Sequence, residues 1–243
     1  MNCTLVITII VLLILVLTTL LFSRKIVDTF TSLDVWHKKI PGIVYINLEK
    51  REDRKKLILN ELEKIETDMS KVNKVSGIYT PKNGHKGCVQ SHILALNIAK
   101  MNKWDLVLIF EDDIELLVTP DIFNDTVNKA LDYLNLNSKD WDVLMLATAY
   151  ASKTRVNDTI SKVKNATTGS AYIVNKKYYD TILDLFNNCN DKMSREEWGG
   201  GKDWEPNALD QRWLDLQNKD NWYCFNNDLI KQRNIISTTM TRE

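Results

Sequence analysis

Four short runs of apolar, largely β-branched residues limit how this chain can fold. Ile43-Val44-Tyr45-Ile46-Asn47-Leu48, Leu106-Val107-Leu108-Ile109-Phe110, Asp142-Val143-Leu144-Met145-Leu146 and Ala171-Tyr172-Ile173-Val174 each read as a buried strand. Stretches with helical spacing lie between them. Glu49 to Ile65 carries Leu57, Leu62 and Ile65, and Gly84 to Lys100 carries Val89, Ile93, Leu96 and Ile98. Pro120 to about Leu134 and Lys176 to about Phe186 read as two more helices, and Leu209 to Leu216 as a last amphipathic one. Val72 to Ile78 and Trp222-Tyr223-Cys224-Phe225 add two strands. Strands alternating with helices predict an α/β fold with a mostly parallel central sheet and helices on both faces. In such sheets ligands gather beyond the carboxyl ends of the strands, so residues at strand ends carry the functional interest.

The 243 residues hold 32 Lys+Arg against 32 Asp+Glu, a formal net charge of zero. That balance argues against a nucleic-acid binder, which needs a basic surplus. At 26% charged and 44% hydrophobic the chain is not disordered, and four Pro with eight Gly exclude a linker-rich or collagen-like design.

The charges are unevenly placed. No Asp, Glu, Lys or Arg precedes Arg24, and Leu5 to Phe22 is apolar except for three Thr. Residues 1–23 therefore read as an uncleaved single-pass anchor, the membrane contact running through residues 2–23. Residues 24–40 read as a stem and 41–243 as the functional domain. Orientation stays open. Arg24, Lys25, Lys38 and Lys39 follow the segment and place the domain in the cytoplasm by the positive-inside rule. Sequons at Asn124, Asn157 and Asn165 would be usable only if the domain is lumenal, the type II arrangement. Cys3, Cys88, Cys189 and Cys224 are widely spaced, with no CxxC. Thiolate metal binding gains no support from that pattern, and one disulfide at most is expected.

Several motifs bear on chemistry. Glu111-Asp112-Asp113 follows the Leu106–Phe110 strand, where mutual repulsion raises the pKa of at least one carboxyl and a divalent cation relieves the cost. The bland reading is a solvated acidic turn, and the two weigh about equally. In Lys50-Arg51-Glu52-Asp53-Arg54, Arg51 or Arg54 suits a diphosphate, although a solvated helix face with internal ion pairs explains the spacing better. Asn47 serves equally well as a plain cap.

In Gly84-His85-Lys86-Gly87-Cys88-Val89-Gln90-Ser91-His92, two His are too few for zinc, and adjacent Ser91 and His92 point apart. Trp198, Gly199-Gly200-Gly201 and Trp204 suggest a mobile aromatic loop. Glu196, Glu197, Asp203, Glu205 and Asp210 around that loop are candidate general bases that spacing does not rank.

Taken in order, Ile46-Asn47-Leu48-Glu49-Lys50-Arg51-Glu52-Asp53-Arg54, Gly87-Cys88-Val89-Gln90-Ser91-His92, Leu108-Ile109-Phe110-Glu111-Asp112-Asp113 and Thr168-Gly169-Ser170-Ala171-Tyr172-Ile173-Val174 resemble family 25 glycosyltransferases. That family includes lipooligosaccharide β-galactosyltransferases and procollagen galactosyltransferases. The ending, Asp210-Gln211-x-Trp213 with Trp222-Tyr223 and Gln232, looks like the versions in large DNA viruses. The resemblance covers about residues 41–237.

It implies a GT-A-type fold, a UDP-sugar donor (galactose or glucose), Mn²⁺ or Mg²⁺, and inverting transfer to a hydroxyl of a glycan or hydroxylysine. It places Glu111 and Asp113 as the chelating pair, if alternate strand-end residues share a face, with Asp112 beside them. Asn47, Arg51, Arg54 and Asp112 fall near the nucleotide as its binding residues. Asp210, with Glu205 second, becomes the base that takes the acceptor proton. Beyond what the resemblance implies, Trp198 and Trp204 read as a lid over the donor, with the glycine run as hinge.

Two departures stand out. Thr168 lacks the His often found before that Gly, and no C-terminal His is present as a third metal ligand. The competing expectation is a non-catalytic, membrane-tethered protein of the same fold that binds sugar or nucleotide. A metal-dependent phosphoryl-transfer enzyme lacks its signatures here.

Overall fold

The computed structural model describes residues 12–20, 36–137, 140–195 and 206–234. The chain divides into two units, residues 1–35 and 36–243. The first contributes the helical stretch 12–20, and among the described residues no helix is long and apolar enough to cross a membrane. The rest of the expected anchor, the 24–35 part of the stem, and the loop carrying Glu196, Glu197, Trp198, Asp203, Trp204 and Glu205 lie outside the described residues. The other end of the expected stem does have a structure. Trp36 is fully buried against Phe123, its indole N–H donates to Asn124 Oδ1 at 2.7 Å, and Ile40 is buried as well.

The second unit is built on an eight-stranded sheet in the order β2-β1-β3-β8-β5-β9-β7-β6. Its strands are β1 Gly42–Asn47, β2 Val72–Ser76, β3 Leu106–Glu111, β5 Val143–Met145, β6 Ala149–Arg155, β7 Ile160–Thr167, β8 Ala171–Asn175 and β9 Trp222–Phe225. A small antiparallel pair, β4 Ile114–Leu116 with β10 Ile230–Gln232, lies apart from it. The α/β class holds, but the sheet is mixed. The β2-β1-β3 edge and the β5–β9 pair are parallel. Strand β8 runs antiparallel to both β3 and β5, and β7 is antiparallel to β9 and β6. An apolar run buried on both faces reads the same in either direction, which is why composition cannot orient β8.

The direction of β8 matters for function. Because it opposes β3, its entry at Thr168–Ser170 meets the exit of β3, and Glu111 N–H donates to Ser170 O at 2.9 Å. On the other side the parallel register sets Ile46 beside Glu111, so Asn47 falls next to Asp112.

Helices α1 Trp36–Lys39, α2 Glu52–Lys64, α3 Gly84–Met101, α4 Pro120–Asn137 and α5 Tyr179–Arg195 cover the sheet, with two short turns, α6 Leu209–Arg212 and α7 Leu214–Gln217, where one helix was expected. In α2 the buried stripe is Arg54, Ile58, Glu61 and Leu62, and Leu57 sits at its margin. Helix α3 starts where the Asn83 side chain accepts from Lys86 N–H at 3.1 Å, a cap worth about 1 kcal/mol. Gly87 then lets the helix close on the loop after β2, since a Cβ there would stand 2.3 Å from Ile78 O. Ser91 Oγ accepts from Ile78 N–H at 2.8 Å in the same contact. These contacts fix which residues of α3 face the exit of β3.

Candidate active site

A cavity of about 550 Å³ opens at the exits of β1 and β3, bounded by the loop after β2, α3, the entry to β8, α6 and the end of β10. Asn47, Arg54, Glu111, Asp112, Asp113 and Asp210 all line it. Of the expected site residues, Arg51 does not. Its guanidinium turns to Asp53 at 2.7 Å, which holds that exposed carboxyl down at about 2. Glu205 lies outside the described residues.

The acidic triplet is divided by the end of the strand. Strand β3 stops at Glu111, and Asp112 and Asp113 form a turn. The alternation that would have put Glu111 and Asp113 on one face therefore does not extend past Glu111. Instead Arg54 Nη1 bridges the two aspartates, at 3.1 Å from Asp112 Oδ1 and 3.4 Å from Asp113 Oδ2. Asn47 Nδ2 donates to Asp112 Oδ2 at 2.8 Å, and Gln232 Nε2 donates to Asp113 Oδ2 at 3.1 Å. Asp113 Oδ1 and Asn47 Oδ1 are buried and accept no hydrogen bond among the described residues. Burial, then the charge of Glu111, pushes Asp113 up to about 7, and burial raises Asp112 as well. The crowding argued from the sequence is thus expressed mainly at Asp113.

Glu111 looks the other way. Cys88 Sγ donates to its Oε1 at 3.4 Å, His92 Nε2 lies 3.2 Å from the same oxygen, and Ser170 Oγ donates to Oε2 at 3.3 Å. Burial opposes its ionisation, but the contacts with His92, Cys88 and Ser170 outweigh that and keep it below the ordinary range. Burial and the nearby Glu111 charge push the Cys88 thiol well up.

Asp210, at the start of α6, accepts from Thr168 N–H at 3.1 Å. Burial raises its pKa, and that hydrogen bond opposes the rise. Thr168 holds a left-handed backbone, φ 76°, an unusual conformation for a β-branched residue and a local strain at the cavity wall.

Several residues of the site were not anticipated. Arg233 closes it from the C-terminal side. Its N–H donates to Asp113 O at 2.7 Å, its Nε to Ile114 O at 2.9 Å and its Nη2 to Glu61 at 2.6 Å. Ser170 was part of a motif without a role. Cys88 and His92 had a readable signal, because residues four apart on a helix share a face.

No protein-family model matches this chain, and no curated protein matches it. Among solved structures, the chain is similar to the following three. A197 from STIV is 12% identical, covering 83% of this chain and 91% of its own, with a TM-score of 0.44. The mannose-1-phosphate geranyltransferase from Thermus thermophilus is 7% identical over 79% of this chain and 73% of its own, TM-score 0.45. A glycosyltransferase involved in the glycosylation of the major capsid of PBCV-1 is 10% identical over 82% and 95%, TM-score 0.39.

Proposed function

We propose that this chain is an inverting glycosyltransferase that moves a hexose from a UDP-sugar to a hydroxyl of a glycan or hydroxylysine acceptor. The observation that carries the reading is Asp113. Its carboxylate follows a strand end in the lining of a cavity large enough for a nucleotide-sugar, with one buried oxygen unpartnered among the described residues, beside Asp112, Asn47 and Arg54. The four motifs quoted above, in order along the chain, support the same class.

An all-oxygen set fits a hard cation. Asp113 and Asp112 would hold Mn²⁺ or Mg²⁺, with Glu111 turned away toward α3. When bound, the ion supplies positive charge that balances the departing diphosphate. Arg54 meanwhile fixes the two aspartates relative to each other, and Asn47 locks Asp112 onto the end of β1. Asp210 takes the proton of the acceptor hydroxyl. Its raised pKa brings it nearer that task than an ordinary aspartate, and the Thr168 N–H holds the carboxylate in place. The uncharged run at residues 2–23 would tether the enzyme to a membrane.

The test is UDP release by the full chain, purified in detergent, across a panel of UDP-sugars with Mn²⁺, with chelator, and with Asp113→Asn. We expect metal-dependent release with one donor, lost on chelation and in the variant. Ligand binding by the folded chain with no turnover of any donor would leave the non-catalytic reading instead.

A further inference from the structure

We propose that Cys88, His92 and Glu111 form a binding site for a borderline-soft divalent metal ion, Zn²⁺ foremost, separate from the oxygen ligands at Asp112 and Asp113. One atom from each residue, Cys88 Sγ, His92 Nε2 and a Glu111 carboxylate oxygen, converges with all three within 4.8 Å of one another. Two of the separations, 3.4 Å for Sγ to Oε1 and 3.2 Å for Nε2 to Oε1, match edges of a tetrahedron around zinc. Bonds of about 2.3 Å to sulfur and about 2.0 Å to nitrogen and oxygen put those edges at about 3.3 to 3.6 Å.

Helix α3 presents Cys88 and His92 one turn apart on the same face, and β3 delivers Glu111 opposite them. All three line the cavity, which can supply water at a fourth position. The outer contacts are also in place. His92 Nδ1 lies 2.8 Å from Tyr172 Oη, and Ser170 Oγ donates to the free oxygen of Glu111.

The balance of protons and charge favours the ion. On binding, the Cys88 thiol proton passes to solvent and Sγ becomes the thiolate ligand. In the metal-bound form the His92 ring would carry its proton on Nδ1, donated to Tyr172 Oη, in place of the Nε2–H that faces Glu111 in the metal-free chain, so the Nε2 lone pair would face the metal. One thiolate and one carboxylate then neutralise the two positive charges, leaving no net charge to bury. The same geometry disfavours a Cys–His nucleophile. The thiol donates to Glu111, not to His92, so the imidazole does not stand ready to take its proton.

The experiment is a titration of the metal-free full chain with Co²⁺, which reports thiolate ligation by a sulfur-to-cobalt charge-transfer absorption in the near ultraviolet. We expect that absorption to saturate at a single equivalent and to be abolished by Zn²⁺. In Cys88→Ser it should vanish and Zn²⁺ affinity should fall by about 100-fold or more, and His92→Gln should behave alike. Asp113→Asn should leave it unchanged. Absence of the absorption in folded wild-type protein, or its persistence in folded Cys88→Ser, would overturn the site. UDP release plays no part in this readout, so failure here leaves the glycosyltransferase reading standing.

Discussion

Glu111 and Asp113 are two residues apart and belong to different chemical environments. Glu111, the last residue of β3, faces α3 and is surrounded by the Cys88 thiol, the His92 ring and the Ser170 hydroxyl. Asp113, past the strand end, shares Arg54 with Asp112 and keeps one buried oxygen without a donor among the described residues. Their titrations shift in opposite directions, Glu111 down and Asp113 up to about 7. The comparison shows that adjacency in sequence does not make a cluster of acids one site. A strand that stops between them assigns each carboxylate to its own neighbours.

The largest effect that tests this division is on turnover. Asp113→Asn should lower UDP release by about 10³-fold, the range seen when a group that stabilises transition-state charge is lost. Glu111→Gln should stay within about tenfold of wild type, because the amide oxygen still accepts from Cys88 or His92. Equal losses in steady-state assays would mean that both carboxylates hold one ion, and the division would fail.

Next in size is stability. Arg54, Asp112 and Asp113 are each no more than 6% exposed, so solvent screens the bridge little. Arg54→Met leaves two buried carboxylates without their bridging cation and should cost about 3 kcal/mol at pH 8, measured by urea unfolding. Adding Asp112→Asn and Asp113→Asn to that background should recover much of the loss. No recovery would mean that Arg54 acts through its stem and not its charge.

The last test is the pH dependence of the metal-free chain. An aspartate near 3.9 when unfolded and near 7 when folded binds its proton more tightly in the native state. Its contribution to stability is therefore full below about pH 4 and is lost as pH rises through about 7. Glu111 has the opposite sign. Its folded pKa is depressed, so its contribution is present above the unfolded value of about 4.3 and lost as pH falls through the lower folded one. Urea midpoints of wild type minus Asp113→Asn should thus fall between pH 5 and 8, and wild type minus Glu111→Gln should not. A flat first difference would contradict the buried environment of Asp113.

The parts of the fold that could be read in advance are those buried on both sides. The runs at β1, β3, β5 and β8 and the helices α3 and α4 announced themselves because double burial requires continuous apolar residues and single burial a 3.6-residue stripe. Strands β6 and β7 escaped notice. Ala149–Arg155 is polar and exposed along most of its length, and Ile160–Thr167 interleaves Lys162, Lys164 and Asn165 with its buried positions. An edge hairpin held mainly by backbone hydrogen bonds leaves a weak trace in composition.

Composition and periodicity determined the α/β class and the strand ends where the acidic triplet and Asn47 fall. They did so because burial is a property of each segment's own residues. The direction of β8, the turn of Glu111 toward Cys88 and His92, the bridge from Arg54 and the closure by Arg233 came from packing. Each depends on residues 19 to 172 positions apart meeting in space. The energy that selects such a partner, desolvation offset by a hydrogen bond or an opposite charge, exists only once both groups are buried together.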